Sequence, residues 1–207
     1  MSGPRRSGGS WRERQERDPY VKKARAGGWR SRAVYKLEEI DQKEKLLKPD
    51  TVVVDLGSAP GSWSQYVVER LRGRVRVVAI DLLQMDTLPD VEFIRGDFCD
   101  ATALERLRAA VGDRGADLVI SDMAPNITGN RAVDQPRSMF LAELALDLCT
   151  ELLKRGGSFV CKLFQGEGSD ALIAEAKRRF QRVRIMKPKA SRPGSREVYL
   201  VARKHQL

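Results

Sequence analysis

The stretch of residues 51–65, TVVVDLGSAPGSWSQ, constrains the fold more than any other part of the chain. Three valines lead into an acid, Asp55, a loop of small residues follows at 57–61, and a helical pattern begins at Ser62. This order predicts a buried parallel strand, a tight turn and a helix N-terminus. Glycines let a ligand approach the backbone, and a helix start presents free N–H groups. Because ligands of open α/β sheets bind where strands end, we expect a nucleotide-like cofactor here.

Strand and helix patterns alternate along the rest of the chain. Strands are predicted at residues 52–56, 75–81, 91–95, 116–121, 157–162, 182–187 and 197–202. Helical patterns fall near residues 62–72, 101–111, 136–154 and 169–180, and another runs from 18 to 46. This alternation predicts a doubly wound α/β fold with a seven-stranded, mostly parallel sheet and helices on both faces. The last two strands have no helix between them, so we expect a C-terminal hairpin with one antiparallel strand.

Charge is distributed unevenly along the 207 residues, whose formal net charge is +10. Residues 1–36 carry 11 Lys or Arg and 3 acids, residues 177–207 carry 11 and 1, and the centre carries 16 and 24. The two basic ends predict a polyanionic partner, because cationic clusters bind phosphates. Solubilising tails are the alternative. Aromatic residues among the N-terminal charges are suited to stacking on bases. They are Trp11, Tyr20, Trp29 and Tyr35.

Length and composition indicate one domain with a substantial core. We expect this domain at residues 19–207, preceded by a flexible basic arm at residues 1–18. No apolar run is long enough to span a membrane. The three scattered cysteines form no CxxC pair and fit a reducing cytoplasm and a chain without a metal site. The only histidine is His205, so proton chemistry would depend on Lys, Asp, Glu or Tyr.

The loop after the first strand narrows the choice of cofactor. Gly57 and Gly61 do not form the GxGxxG pattern of NAD-binding folds, and Pro60 lies between them. The pattern D-x-G-x-x-P-G instead resembles motif I of S-adenosylmethionine-dependent methyltransferases, specifically the FtsJ-type RNA ribose methyltransferases. A strand–turn–helix without a ligand is the alternative.

Acids lie at the end of the next predicted strand and just after the one that follows it. Asp81 lies where an acid commonly binds ribose hydroxyls. Asp97 could accept from an adenine amino group, with Phe98 packed on the ring. Trp63, in the first helical turn, suits packing as well as ligand contact. In FtsJ-type enzymes the tryptophan of P-G-x-W lies by the cofactor, so the resemblance implies that Gly61 and Trp63 contact S-adenosylmethionine.

The fourth and fifth predicted strands end in chemically active side chains. The fourth runs into SDMAPN at residues 121–126, which lacks both the motif of amino-methylating enzymes and the Pro-Cys of cytosine-C5 enzymes. The fifth, in GGSFVCKLFQG, carries Lys162, and an ammonium in so apolar a strand is costly to bury unless it is paired. A lysine that snorkels at the edge is the alternative. Cys161 faces the opposite side of the strand and is expected in the core.

Four motifs make the resemblance to the FtsJ family specific. In order they match the K-D-K-E tetrad of ribose 2′-O-methyltransferases: Lys36 in SRAVYKL, Asp122 in SDMAPN, Lys162 in VCKLFQG and Glu197 in SREVYLV. The match covers residues 11–202, although the loop reads GSAPGSW where the family typically has GAAPGGW. The resemblance implies a class I, Rossmann-like methyltransferase fold. It also implies 2′-O-methylation of a uridine in 23S rRNA of the large ribosomal subunit, by a cytoplasmic monomer.

The tetrad implies a chemistry centred on Lys162. This lysine would either remove the proton of the 2′-hydroxyl or orient the hydroxyl and stabilise the alkoxide. Asp122 is expected to contact the cofactor as well. No metal is needed, because the sulfonium is already a good leaving group. Arg30, Arg32 and Lys36 are expected to contact RNA.

Two other classes of function remain open at this stage. One is a non-catalytic RNA-binding or ribosome-assembly protein on a methyltransferase scaffold, which would not need an intact tetrad. The other is a nicotinamide-dependent oxidoreductase, which Pro60 and the absence of GxGxxG disfavour.

Overall fold

Seven strands form one sheet in the computed structural model, which describes residues 16–206. The strands are β1 (Thr51–Leu56), β2 (Val75–Asp81), β3 (Val91–Arg95), β4 (Ala116–Ser121), β5 (Leu153–Phe164), β6 (Phe180–Met186) and β7 (Glu197–His205). The helices are α1 (Pro19–Ala26), α2 (Val34–Glu44), α3 (Ser62–Leu71), α4 (Ala101–Val111), α5 (Arg131–Leu152) and α6 (Ser169–Arg179). The strand order β3-β2-β1-β4-β5-β7-β6 confirms the predicted α/β class. Trp11 and most of the basic arm predicted at 1–18 lie outside the described residues.

The parallel half of the sheet is buried on both faces. Strands β1 to β5 pair in parallel, and their valine-rich runs are typical of strands covered on two sides. Successive side chains alternate, so Val54 packs with helices α4 to α6 and Val53 with α1 to α3. The order of strands reverses between β1 and β4. Ligands of such sheets bind at this switch point, beyond the strand ends.

The predicted C-terminal hairpin is present, and β7 lies between β5 and β6, antiparallel to both. The register sets Lys162 opposite Tyr199 and Phe164 opposite Glu197, so Lys162, Tyr199 and Glu197 share one face of the sheet. Strand β5 begins at residue 153 instead of the predicted 157. Gly156, at φ +81°, carries the chain through an irregularity in the pairing with β4, which the sequence pattern did not indicate.

The helical stretch predicted at residues 18–46 is two helices, so that prediction is corrected. Asp18 caps α1 by accepting the Tyr20 N–H at 2.9 Å. Gly27 ends this helix, and Gly28 follows at φ +71°. The connection then leads into α2, which carries Lys36 in its first turn.

Cysteine packing agrees with the sequence analysis. Cys161 is buried among core residues on the α4–α6 side, opposite the face of Lys162. Burial raises the pKa of the Cys161 thiol to about 12, which makes it a poor nucleophile.

Among residues 16–206, no group of three or more His, Cys, Asp or Glu is arranged to hold a metal ion. No helix in that part of the chain combines the length and apolar character needed to cross a bilayer.

Candidate active site

Two glycines shape the loop after β1. Gly57 has φ +72° and Gly61 has φ +102°, a region that L side chains rarely adopt. A Cβ at Gly57 would lie 2.3 Å from Cγ of Met123, and one at Gly61 would lie 2.7 Å from Sδ of Met85. The backbone conformation therefore favours glycine at both positions, and any side chain there would also have to displace a methionine. Direct contact of these glycines with a ligand stays a prediction.

Asp81 is the last residue of β2, and Asp97 lies two residues after β3. Asp81 accepts the N–H groups of Ala59 and Leu83 at 2.9 and 2.8 Å, so it ties the loop after β1 to the loop after β2. A carboxylate has further lone pairs, which a ligand hydroxyl can use. Asp97 is exposed at the surface. Phe98 is buried in the core on the α4–α6 side, and its contact with an adenine ring stays a prediction.

Asp55 ends β1 and is 1% exposed. Its carboxyl group accepts the hydroxyl of Ser64 at 2.7 Å. Burial, and then the charges of Asp122 and Asp81, raise the pKa of Asp55 to about 7, although Ser64 opposes the shift. Near neutral pH the neutral and the charged form of this side chain are therefore both populated.

We expect the Asp55→Asn variant to gain stability relative to the unchanged protein as the pH rises from about 4 to about 7. Across this window the folded state keeps a proton that the unfolded state has lost, so the contribution of Asp55 falls as the pH rises. Asparagine keeps the acceptor for Ser64 and does not titrate. Urea denaturation near pH 5 and pH 8 should show a relative gain of roughly 2–4 kcal/mol. Identical pH profiles of the two proteins would contradict the assignment.

A cavity of about 80 Å³ opens at the loop after β1. Its lining consists of Ser31, Ala33, Asp55, Gly57, Ser58, Ala59, Pro60, Ser62, Trp63 and Asp122. Ser58 Oγ is buried and has no hydrogen-bond partner among the described residues, so a polar ligand group would satisfy it. Trp63 donates its indole N–H to the Ala33 carbonyl at 2.8 Å and packs 5.8 Å from the Tyr199 ring. Trp63 is thus a core residue and a wall of the cavity at once.

Four charged side chains from four parts of the chain meet beside this cavity. They form two ion pairs. Lys162 Nζ lies 2.9 Å from Asp122 Oδ1, and Lys36 Nζ lies 2.8 Å from Glu197 Oε1. Lys162 also donates to the backbone carbonyl of Asp122 at 2.8 Å. None of the four side chains is more than 19% exposed. The structure therefore brings together all four residues of the predicted tetrad.

Tyr199, which the sequence analysis did not single out, joins the two ion pairs. Its hydroxyl donates to Asp122 Oδ1 at 2.5 Å and lies 3.5 Å from Glu197 Oε1. Burial, followed by the charges of Asp122 and Glu197, raises the pKa of Tyr199 well above its ordinary value, so the hydroxyl remains a donor. Ser191 donates to Glu197 at 2.7 Å. The position of Tyr199 in the sequence could have indicated this role, because it comes two residues after Glu197 and so lies on the same face of the strand.

Both carboxyl groups of the tetrad stay charged although they are largely buried. Burial alone would raise the pKa of Asp122, but Lys162 and Lys36 lower it below its ordinary value. Burial would likewise raise the pKa of Glu197, but the same two lysines lower it below its ordinary value. In its ion pair with Asp122, Lys162 is the positively charged partner, an ammonium group. An ammonium has no lone pair, so it acts on a hydroxyl as a hydrogen-bond donor.

The residues predicted to contact RNA are engaged within the protein. Arg30 donates to backbone carbonyls of the loops after β1 and β2 at 2.8–3.0 Å. Arg32 pairs with Asp18 and donates to the carbonyl of Ala190. Lys36 is buried in the tetrad. The charged groups of all three side chains already have partners in the protein, and their direct contact with RNA stays a prediction.

Comparison with known proteins places these features in context. Residues 29–205 match the protein family described as FtsJ-like methyltransferase. The ribosomal RNA large subunit methyltransferase E of Legionella pneumophila (strain Paris) is 52% identical over 197 residues, which cover 95% of this chain and 96% of that protein. The protein of the same name from Halorhodospira halophila is 55% identical over 192 residues, which cover 93% and 91%. A crystal structure of a ribosomal RNA methyltransferase from Plasmodium falciparum matches with a TM-score of 0.77 at 32% identity, over 86% of this chain and 98% of that one.

Proposed function

This chain belongs to the FtsJ-like methyltransferase family, and on that basis we propose that it transfers a methyl group from S-adenosylmethionine to a ribose 2′-hydroxyl of large-subunit ribosomal RNA. The target that we propose is a uridine of 23S rRNA, methylated in the cytoplasm by a single copy of the protein. One observation carries the proposal. The side chains of the K-D-K-E tetrad converge in two ion pairs beside the cavity at the loop after β1.

We propose that the methyl donor binds along the loop after β1. The residues that would hold it lie at or just beyond the ends of β1 to β4: Gly57, Gly61, Trp63, Asp81, Asp97 and Asp122. The unpartnered Ser58 Oγ fits a ligand with hydroxyl or carboxylate groups. Asp55 and Asp122 line the same cavity, and two acidic residues there fit a ligand with positive charge. When bound, S-adenosylmethionine supplies an electrophilic methyl group on a sulfonium.

Lys162 is the residue that we propose to engage the ribose. Two protons of its ammonium group point to Asp122, one to the carboxylate and one to the backbone carbonyl, which leaves a third for a ligand. A hydrogen bond from this third proton would orient the 2′-oxygen and stabilise the negative charge that develops on it. Lys36, held by Glu197, adds a second positive charge. Because Asp122, which is itself bound by Tyr199, holds the lysine in place, little reorganisation is needed during the transfer.

The described parts of the two basic segments, residues 16–36 and 177–206, meet in the folded protein, which supports RNA as the substrate. Arg32 joins the start of α1 to the loop between β6 and β7, and the Lys189 N–H donates to Glu39 of α2 at 2.7 Å. Exposed cations follow on both segments: Lys22, Lys23 and Arg25 on α1, and Lys189 and Arg192 in the loop. Solubilising tails would not need to converge, whereas a surface that binds phosphates would.

We expect Asp81→Ala to weaken S-adenosylmethionine binding by about 10- to 100-fold, since a hydrogen bond to a charged acceptor contributes about 1.5–3 kcal/mol. The variant also frees the N–H groups of Ala59 and Leu83, so the loop after β1 loses an anchor. Titration calorimetry measures the affinity. Asp86→Ala, at an exposed acid in the loop after β2, is the matched control and should bind normally. Unchanged affinity of Asp81→Ala would remove Asp81 from the cofactor site.

Methyl transfer from labelled S-adenosylmethionine tests the proposed function. We expect the full chain to label 23S rRNA, presented as large ribosomal subunits from cells that lack this modification, and not the RNA of small subunits. A protein that binds both ligands without transferring label would support the non-catalytic assembly factor instead. A protein that binds NAD and not S-adenosylmethionine would support the oxidoreductase.

A further inference from the structure

The edge of the sheet carries three arginines on one face: Arg182 and Arg184 on β6, and Arg203 on β7. We refer to them as the edge arginine cluster. Arg182 lies directly opposite Arg203 in the antiparallel register, and Arg184 lies two residues further along the same face. Like charges directly opposite each other destabilise a strand pair. A negatively charged group near the three arginines would therefore stabilise this strand pair.

Within residues 16–206, the acidic partner of this cluster is Glu44. Its Oε1 lies 3.0 Å from Arg184 and its Oε2 lies 3.5 Å from Arg203. Arg182 is exposed and makes no ion pair within that part of the chain. Two of the three cations thus share one buried carboxylate and the third has none, so the cluster keeps a net positive charge. A partner that supplies negative charge would relieve the repulsion.

A groove of about 590 Å³ adjoins the cluster. It is lined by Lys43, Glu44, Arg184, Ile185, Met186 and Lys187. Met186 lies two residues after Arg184 on the same face of β6 and is partly exposed, so the groove offers apolar surface next to cationic groups. Lys43 forms an ion pair with Glu39, whose Oε1 lies 2.7 Å from the lysine Nζ. An apolar surface beside arginine and lysine suits a nucleotide, whose base can pack while its phosphate is neutralised.

The cluster is continuous with the tetrad along the sheet. Arg184 and Arg182 lie opposite residues two and four positions beyond Tyr199 on β7, which corresponds to about 7 and about 14 Å. Helix α2 covers the same distance, because it runs from Lys36 in the tetrad to Glu44 at the cluster, about 12 Å. An RNA whose target ribose lies in the tetrad can therefore continue to the arginines.

We propose that the edge arginine cluster and its groove form a second RNA-binding site, which binds the phosphates and a base of a segment away from the methylated ribose. The inference rests on the proposed function, since it takes ribosomal RNA as the substrate. The site contributes to the affinity for RNA and not to the transfer step, because none of its members reaches the tetrad. RNA fits better than an acidic protein, because the groove combines cations with an apolar surface.

Charge removal in the full-length protein tests the proposal. Arg182→Gln/Arg184→Gln removes two of the three cations, and Arg106→Gln/Arg114→Gln removes two exposed arginines in and after α4 as a matched control. Binding of protein-free 23S rRNA is measured over a range of salt concentrations. We expect the slope of log Kd against log salt to fall by about 1.5 in the cluster variant, at about 0.7–0.9 for each phosphate that is no longer neutralised. Affinity at low salt should fall about 10- to 100-fold, and the control should bind as the unchanged protein does.

The single-turnover rate at saturating RNA should stay unchanged in the cluster variant. An unchanged salt slope and Kd, in a variant that unfolds and binds S-adenosylmethionine normally, would overturn the proposal. Weaker binding to large subunits together with unchanged binding to protein-free 23S rRNA would assign the cluster to a ribosomal protein and would overturn it too. Failure of the unchanged protein to methylate the RNA would overturn the proposed function instead, and the salt slope would still measure how the cluster binds RNA.

Discussion

Lys162→Met is expected to lower the single-turnover rate of methyl transfer by roughly 10²- to 10⁴-fold, while S-adenosylmethionine and RNA still bind. Methionine keeps a long apolar side chain but lacks the ammonium that would orient the 2′-oxygen and stabilise charge on it. The loss therefore falls on the transition state and not on binding. The change also deprives Asp122 of a cation at 2.9 Å, at a cost of up to about 3 kcal/mol of stability, so unfolding is measured alongside.

Lys154→Met provides the matched control for this experiment. Lys154 pairs with Asp117 and links β5 to β4, as Lys162 and Asp122 do at the opposite end of the same strands, but it lies at the surface. We expect this control to transfer methyl groups at the normal rate. A folded Lys162→Met protein that is as fast as the control would show that Lys162 is a structural ion-pair partner only.

Asp122→Asn is expected to lower the same rate by roughly 10²- to 10³-fold. Asparagine keeps the shape and an oxygen that can accept from Tyr199, but it removes the charge that holds Lys162 in place. The ammonium is then free to move away from the ribose. Because Asp122 also lines the cavity at the loop after β1, the Kd for S-adenosylmethionine should rise as well. Single-turnover kinetics and calorimetry separate the two effects.

Combining the two changes tests whether Lys162 and Asp122 act as a unit. If they do, Lys162→Met/Asp122→Asn should be no slower than the slower single variant, because either change alone already disables the pair. The corresponding control combines Lys154→Met with Asp117→Asn and should stay at the normal rate. Fully additive losses for the first pair would mean that Asp122 contributes independently of Lys162.

The sheet and the tetrad were predictable because their signals are local. The valine run of β1 and the small-residue loop after it are adjacent in the sequence, and parallel strands bring their ends to one edge. Asp122 follows β4 and Lys162 lies near the end of the neighbouring strand β5, so their proximity follows from the topology. Lys36 and Glu197 reach the same place from a helix and an antiparallel strand. Only the family resemblance predicted that these two would join the site.

The internal partners of the arginines were not predictable from charge patterning. Arg30 binds backbone carbonyls, which every residue has, so no motif marks them. Arg32 and Lys22 contribute equally to the charge of the N-terminal segment, yet Arg32 is bound to Asp18 and Lys22 is exposed. Counts of charge describe the segment correctly and cannot separate side chains with internal partners from those that face a ligand.

Two further features depended on the folded arrangement. Tyr199 contacts Asp122 because of the register of β7 against β5, which is set only when the antiparallel strands pair. The break between α1 and α2 had a local signal in Gly27 and Gly28, since glycine commonly ends helices. Apolar residues recur at helical spacing on both sides of these glycines, and this periodicity alone predicts one continuous helix.

The position of the transferred methyl group on the RNA tests the central claim most directly. After reaction with labelled S-adenosylmethionine, the 23S rRNA is hydrolysed with alkali, which cannot cleave beside a methylated 2′-oxygen. The tetrad geometry predicts that the label appears in an alkali-stable dinucleotide, and as 2′-O-methyluridine after complete digestion. Label recovered in alkali-released mononucleotides that carry a methylated base would contradict ribose methylation and the role proposed for Lys162.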